Sequence, residues 1–249
     1  MSVLNLLSLT TSGYMEMNGK QAQYAKFFYA DSSKKPKNEE NRKLLSRNGM
    51  LVFYTPSFIV CLVALIILPH QDLRFSIVEY VLTVHFLKRI LEVLFVHKFS
   101  GFMMANASIM IGVSYCISTA TMIYSQYLSQ GTPEPSVDLK YVGFAVFLIG
   151  ISGNFYHHCI LASLRKTGDR EYKIPKGGLF GLIICPHYFF EIMEFIGVSC
   201  ISQTKFTLCF TLGTMLLLMG RSHSTREWYV SKFGKNFRSD IKAVIPYLF

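Results

Sequence analysis

The chain has 249 residues, of which 51% are hydrophobic and 16% are charged. Soluble domains carry about 25% charged residues, so this composition and a mean hydropathy of +0.33 exclude an ordinary soluble protein. The net charge of +10 does not indicate nucleic-acid binding, because the basic residues flank apolar runs, as topology signals and lipid headgroup contacts do. We therefore predict an all-α, polytopic bundle of membrane helices that forms a single domain over residues 1–249.

A hydrocarbon core about 30 Å thick requires roughly 20 apolar residues in a helix. The first apolar stretch, 1–14, is shorter than this and lacks the basic start and cleavage site of a signal peptide. We interpret it as the end of a truncated first span. Six further stretches are predicted to cross the membrane fully, namely 50–69, 73–97, 102–128, 139–164, 177–200 and 206–220.

The distribution of basic residues predicts the orientation of these spans. Segments 20–47, 164–176 and 221–249 carry eight, five and six Lys or Arg residues, whereas the other connections carry few. With six crossings, every basic segment falls on the same side of the membrane. The positive-inside rule makes this side cytosolic, so the C-terminus is expected in the cytosol.

The six cysteines do not predict a metal site. They lie in or beside apolar spans, and no CxxC or CxxxC spacing occurs. Small buried hydrophobic residues are the simpler interpretation.

Polar side chains recur at helical spacing inside three of the predicted spans. His187, Glu191 and Glu194 share one face of their helix. Similar stripes are formed by Asn154, His158 and Arg165, and by His85, Arg89 and Glu92. Ionisable groups inside membrane spans are costly and usually line a cavity or pathway. The alternative is that they form structural pairs, such as Arg89 with Glu92.

The connection 164–180 combines five basic residues with Tyr172 and a Gly177–Gly178 pair at a predicted helix start. Backbone amides and basic side chains together suit a ligand that carries phosphate. A basic loop that only sets topology is an equal alternative. No GxGxxG or P-loop motif occurs, so a nucleotide would bind without a Rossmann domain.

The C-terminal segment places Arg221, Thr225 and Tyr229 on one helical face, at intervals of four residues. This face is a candidate part of the same site. The alternative is an interfacial amphipathic helix that is anchored by Trp228 and Tyr229.

Several stretches carry a resemblance to a known family. They read "HFLKRILEVLFVHKFS", "NFYHHCILASLRKTGDREYKIPKGGLF", "CPHYFFEIMEFIG" and "REWYVSKFGKNFRSDIKAVIPYLF". In this order they resemble the steroid 5α-reductase family, which includes 3-oxo-5α-steroid 4-dehydrogenases, very-long-chain enoyl-CoA reductases and polyprenol reductases. The family-like catalytic region is expected over 98–249.

The resemblance implies a seven-span enzyme of the endoplasmic reticulum membrane. Such an enzyme uses NADPH to reduce a carbon–carbon double bond conjugated to a carbonyl, in a lipid substrate that enters from the bilayer. The implied cofactor-binding residues are Asn154, His158, Arg165, Tyr172, His187, Glu191, Arg221, Thr225 and Arg89. Phe86 and Glu194 are expected to contact the substrate, and the candidate catalytic residues are Tyr229, His187 and Tyr54.

The sequence departs from the family pattern at three of these positions. His158 stands where steroid reductases have Asp, His187 where both branches usually have Asn, and Phe86 where a Tyr helps bind the steroid ketone. A glutamate expected on the second span is not evident around 48–56. Since Phe86 has no hydroxyl, Tyr229 is the leading hydrogen-bond donor, with His187 and Tyr54 in reserve. Positive charge on Arg221 is expected to lower the pKa of Tyr229.

Two substrates and two other classes of function stay open. The leading hypothesis is a 5α-reductase of 3-oxo-Δ4 steroids. The alternative is a trans-2-enoyl-CoA reductase of fatty-acid elongation, which the 85–100 stretch favours. A membrane methyltransferase that uses S-adenosylmethionine would have a similar C-terminal architecture. A non-catalytic membrane protein is the remaining alternative.

Overall fold

The computed structural model describes residues 1–19, 43–69, 72–99, 101–165, 172–238 and 240–249. Almost all regular structure in these ranges is helical. The α-helices are α1 (Ser2–Met17), α2 (Ser46–Ile67), α3 (Leu73–Leu91), α4 (Ala105–Tyr127), α5 (Lys140–Ser163), α6 (Pro186–Ser202) and α7 (Lys205–Phe233). Two short strands, β1 (Lys43–Leu45) and β2 (Phe102–Met104), pair antiparallel. A π-helical turn (Glu92–Val96) follows α3, and 3₁₀ turns lie at Gly178–Gly181 and Gly234–Asn236.

Three helices in the described ranges, α2, α4 and α5, are long and apolar enough to cross a membrane. Their lengths of 22, 23 and 24 residues exceed the roughly 20 that a bilayer core requires. The prediction of an all-α membrane protein is thereby confirmed in its general form. The count of six full spans and a truncated first span stays a prediction, as does the single domain over 1–249.

The described residues divide into two compact units. One unit contains α1, α5, α6, α7 and the C-terminal tail, and we call it the α5–α7 unit. The other contains β1, α2, α3, β2 and α4, and we call it the α2–α4 unit. The predicted cofactor residues on α5, α6 and α7 all belong to the α5–α7 unit.

Glycines set the close packing of the α5–α7 unit. A Cβ atom added at Gly150 of α5 would lie 2.6 Å from the backbone nitrogen of Glu194 on α6. A Cβ atom added at Gly13 of α1 would lie 2.6 Å from the backbone oxygen of Leu216 on α7. Small residues allow membrane helices to approach this closely. The close contacts hold α6 in one register against α5, and α1 in one register against α7.

The C-terminal tail pairs with the segment that leads into α6. The Ile184 amide donates to the Lys242 carbonyl at 2.9 Å, the Lys242 amide to the Leu182 carbonyl at 2.9 Å, and the Cys185 amide to the Ala243 carbonyl at 3.1 Å. Extended pairing of this kind is incompatible with a helix. Helix α6 therefore begins only at Pro186.

The structure corrects two predicted element boundaries. The stretch 177–200 is not one helix, because Gly177 and Gly178 have φ angles of +92° and +51° and the short 3₁₀ turn and tail pairing precede α6. The stretch 206–220 is part of a longer helix, since α7 continues without a break to Phe233. Arg221, Thr225 and Tyr229 thus belong to the same helix as the predicted span.

Candidate functional site

The polar stripes of α5 and α6 meet. The Nδ2 atom of buried Asn154 donates a hydrogen bond of 2.8 Å to the backbone oxygen of His187. The rings of His158 and His187 lie 5.5 Å apart between centroids. This contact joins the helix that carries Asn154 to the first turn of α6.

The neighbouring His157, which the sequence analysis did not single out, has a structural role. Its Nε2 atom accepts a 3.1 Å hydrogen bond from the Leu179 amide, and its Nδ1 atom lies 2.7 Å from the Gly153 carbonyl. A neutral ring with the proton on Nδ1 satisfies both contacts. A Cβ atom at Gly178 would lie 2.5 Å from Nε2, so glycine is required there for the turn to approach the ring.

Glu191 and Glu194 both lie in the buried face of α6, and their side chains are 8% and 1% exposed. Glu194 sits where α6 contacts Gly150 of α5. Buried carboxylates are rare unless they are paired or functional. The structure therefore supports the prediction that this face is not a lipid-facing surface.

The connection between α5 and α6 and the end of α7 together form a cluster of cations and aromatic rings. The guanidinium carbon of Arg165, at the end of α5, lies 4.8 Å from the centre of the Tyr172 ring. The Lys232 ammonium from α7 lies 5.4 Å from the same ring and 5.3 Å from Trp228. The Tyr172 and Trp228 rings contact each other edge to face at 4.7 Å. Lys232 was missed in the sequence, where its position in a basic tail gave no distinguishing signal.

Tyr229 lies in an apolar cluster beside this group. Its ring contacts Trp228 at 5.1 Å, Phe233 at 5.6 Å and Phe237 at 5.8 Å. Tyr229 is beyond the predicted 206–220 span, and burial raises its pKa above the ordinary value, while the charge of Arg165 lowers it by less. The expectation that Arg221 lowers this pKa is wrong, because desolvation of the phenolate raises it and the positive charge that acts on Tyr229 is that of Arg165.

Arg221 instead forms a buried ion pair with a residue that sequence reasoning missed. Its Nη1 atom lies 2.7 Å from Oε1 of Glu16 on α1. The Ser224 hydroxyl donates to the Glu16 carbonyl oxygen, and the Thr225 hydroxyl donates to the Arg221 carbonyl at 2.8 Å. The sequence signal that could have pointed to Glu16 is an acidic residue just after the first apolar stretch, 1–14.

The α2–α4 unit holds the remaining candidates in a cluster of its own. Arg89 donates to the Tyr54 hydroxyl at 2.5 Å and pairs with Glu92 at 3.0 Å. Phe86 is buried, and its ring contacts His85 at 4.9 Å. The structural pairing of Arg89 with Glu92, weighed in the sequence as an alternative, is thus present.

Comparison with known proteins matches residues 103–249 to a family model described as 3-oxo-5-alpha-steroid 4-dehydrogenase. The chain is 42% identical over 107 residues to steroid 5-alpha-reductase DET2 of Gossypium hirsutum, which is 43% of this chain and 42% of that protein. It is 40% identical over 108 residues to 3-oxo-5-alpha-steroid 4-dehydrogenase 1 of Homo sapiens, 43% of this chain and 41% of that protein. It is 31% identical over 167 residues to very-long-chain enoyl-CoA reductase of Dictyostelium discoideum, 67% of this chain and 55% of that protein.

These matches cover about half or less of the length of each relative, between 41% and 55%. The family match includes the candidate residues of α5, α6 and α7 and the connection between α5 and α6. Glu16, Tyr54, Phe86 and Arg89 lie before its first residue, 103.

Proposed function

Because this chain belongs to the 3-oxo-5-alpha-steroid 4-dehydrogenase family, we propose that it is an NADPH-dependent reductase of a double bond conjugated to a carbonyl. The proposed substrate is a 3-oxo-Δ4 steroid. The observation that carries the proposal is that the family match, 103–249, contains the buried polar residues of α5, α6 and α7 and the cation–aromatic cluster around Tyr172.

The donor set of the α5–α7 unit fits an anionic dinucleotide. Arg165 and Lys232 place two positive charges over the Tyr172 ring, and charged donors of this kind bind phosphate strongly. Asn154 offers an amide and Glu191 a buried carboxylate, which match the carboxamide and hydroxyl groups of a nicotinamide nucleotide. We assign the phosphates to Arg165, Tyr172 and Arg221. His158, His187 and Thr225 complete the proposed cofactor set of this unit. Arg89, which belongs to the α2–α4 unit, stays a cofactor residue implied by the family resemblance alone.

When bound, NADPH would supply the hydride for the β-carbon of the substrate. The protein then has to stabilise negative charge on the carbonyl oxygen and deliver a proton to the α-carbon. Tyr229 suits the first task, because its raised pKa keeps the hydroxyl protonated and able to donate. In the same unit, His187 is the reserve donor and Glu194 is the proposed substrate contact. Tyr54 and Phe86 of the α2–α4 unit stay candidates implied by the family resemblance alone.

The location is also part of the proposal. We propose the endoplasmic reticulum membrane, six full spans, and a lipid substrate that enters from the bilayer. Segment 20–47 and the C-terminus would share the cytosolic side, since both are rich in basic residues. Residues 20–42 of that segment lie outside the described residues.

A trans-2-enoyl-CoA reductase is the second candidate. The similarity to the enoyl-CoA reductase extends over more of this chain than the similarity to either steroid reductase. Both substrates present a carbonyl conjugated to the reducible bond, so the same residues would serve in each case.

The test uses microsomes from cells that express the chain, with microsomes lacking it as the control. Each preparation receives NADPH and either a Δ4-3-ketosteroid or a trans-2-enoyl-CoA, and the saturated product is measured by mass spectrometry. We expect reduction of the steroid, with NADPH preferred to NADH. Reduction of the enoyl-CoA alone would select the second candidate. Absence of both products, with the protein present in the membrane, would contradict a reductase function.

A further inference from the structure

The contact between α1 and α7 buries a pair of opposite charges. Glu16 and Arg221 are 5% and 4% exposed, and the distance from Oε1 to Nη1 is 2.7 Å. The Ser224 hydroxyl, one turn further along α7, donates to the backbone oxygen of Glu16. Two independent contacts therefore fix the end of α1 against this turn of α7.

Helix stability does not explain an acidic side chain at this position. Glu16 lies in the last turn of α1 (Ser2–Met17), where the negative end of the helix dipole disfavours a carboxylate. Burial adds a desolvation cost, and well-packed apolar residues stabilise a protein at least as well as a buried ion pair. The ion pair is thus better explained by a functional role of Arg221 than by a contribution to the packing of α1.

The helix contact gives Glu16 a fixed position from which to act. Gly13, less than one turn before Glu16, contacts the Leu216 backbone so closely that a Cβ atom would lie 2.6 Å from its oxygen. Such close packing prevents α1 from sliding along α7. A long arginine side chain has many rotamers, and a carboxylate in a fixed place selects the few that reach it.

We propose that Glu16 is a positioning residue for the cofactor site, which holds the Arg221 guanidinium in the orientation that binds a phosphate of NADPH. This inference rests on the proposed function, and in particular on Arg221 as a phosphate-binding residue. Glu16 acts through Arg221 and does not itself touch the cofactor. It lies outside the family match, so the family resemblance does not assign it.

The test compares Glu16→Ala, Glu16→Gln and Arg221→Ala with the double variant in detergent-solubilised protein. NADPH affinity is measured directly by fluorescence titration, kcat and KM are measured separately, and thermal unfolding reports folding. We expect Glu16→Ala to raise the Kd for NADPH about tenfold, an effect of about 1.4 kcal/mol, with little change in kcat. Glu16→Gln should raise it less, because the amide oxygen still accepts a hydrogen bond from Arg221.

Two comparisons separate positioning from a structural role. The double variant should bind NADPH no more weakly than Arg221→Ala alone, because the effect of Glu16 passes through Arg221. Glu227→Ala is the matched control, since Glu227 pairs with Arg226 of the same helix at 3.3 Å but its side chain is 57% exposed. It should leave the Kd unchanged.

The outcomes distinguish this inference from the proposed function. If Arg221→Ala weakens NADPH binding while a folded Glu16→Ala protein binds it normally, the positioning role is wrong and the cofactor site stands. If Arg221→Ala binds NADPH normally, the cofactor assignment of Arg221 fails, and the inference fails with it. If Glu16→Ala does not fold, Glu16→Gln decides, and an unchanged Kd for that variant overturns the proposal.

Discussion

Replacing Tyr229 with Phe removes one oxygen atom from a well-packed aromatic cluster. The Tyr229 ring lies 5.6 Å from Phe233 and 5.8 Å from Phe237, and a Phe ring preserves both contacts. The substitution removes only one oxygen atom, so it creates no large cavity. Because the residue is 8% exposed, it also exposes little new apolar surface. We therefore expect Tyr229→Phe to fold like the parent protein.

The expected effect on catalysis is much larger than the effect on stability. Loss of one hydrogen bond changes stability by about 1 kcal/mol, whereas loss of one donor to a developing oxyanion typically lowers kcat by about 10²–10³. NADPH affinity should change little, because the assigned phosphate contacts are made by other residues. The raised pKa of Tyr229 further predicts that the donor stays protonated through pH 10, the ordinary value for tyrosine. Loss of activity below that pH would have to come from another group.

The assay measures single-turnover reduction at saturating NADPH, together with the Kd for NADPH and the unfolding temperature. Tyr247→Phe is the matched control, because Tyr247 is also a tyrosine of the C-terminal region but is 80% exposed. Wild-type turnover in a folded Tyr229→Phe protein would refute the donor role and leave His187 as the candidate donor of the α5–α7 unit. If Tyr229 only anchors the helix at the membrane interface, Tyr229→Phe is expected to show this nearly unchanged turnover.

Three further predictions concern the cofactor and the topology. Asn154→Ala and Glu191→Gln should each abolish NADPH binding as measured by fluorescence titration, while the circular dichroism spectrum stays unchanged. Normal NADPH binding by either variant would contradict the assignment of these residues to the cofactor pocket. Arg165→Met should weaken NADPH binding about tenfold and NADH binding much less, whereas substitution of the exposed Lys235 by Met should change neither affinity. An equal loss of affinity for both dinucleotides would exclude a role of Arg165 in recognising the extra phosphate of NADPH. Glycosylation sites inserted in 20–47 and at the C-terminus should both stay unmodified, and modification of either would place that segment in the lumen.

Local spacing predicted which residues share a polar face and one contact within a single helix. Asn154 and His187 were placed on polar faces by their spacing within a helix, and the structure joins them at 2.8 Å. Arg89 and Glu92 are three residues apart, so their 3.0 Å pairing was within reach of the same rule. Polar periodicity in an apolar background is a reliable signal, because lipid penalises any polar group that faces it.

Contacts between distant segments could not be predicted in this way. Glu16 and Arg221 are separated by 205 positions, and neither belongs to a periodic pattern that refers to the other. Hydropathy also misplaced the limits of α6 and α7. An apolar segment does not reveal that 182–185 pairs with the tail, and a polar residue such as Arg221 ends an apolar window without ending the helix.

The pairing of 182–185 with 242–243 has a consequence for how the protein is made. A ribosome produces the chain from its N-terminus, so α5 and the start of α6 are synthesised well before Lys242 and Ala243. The amide groups of Ile184 and Cys185 and the Leu182 carbonyl gain their partners from those two residues only after all of α7 has emerged. The entrance to α6 is therefore among the last parts of the α5–α7 unit to reach its final structure. A nascent chain arrested within α7 would carry both halves of the α5–α6 contact but not this pairing.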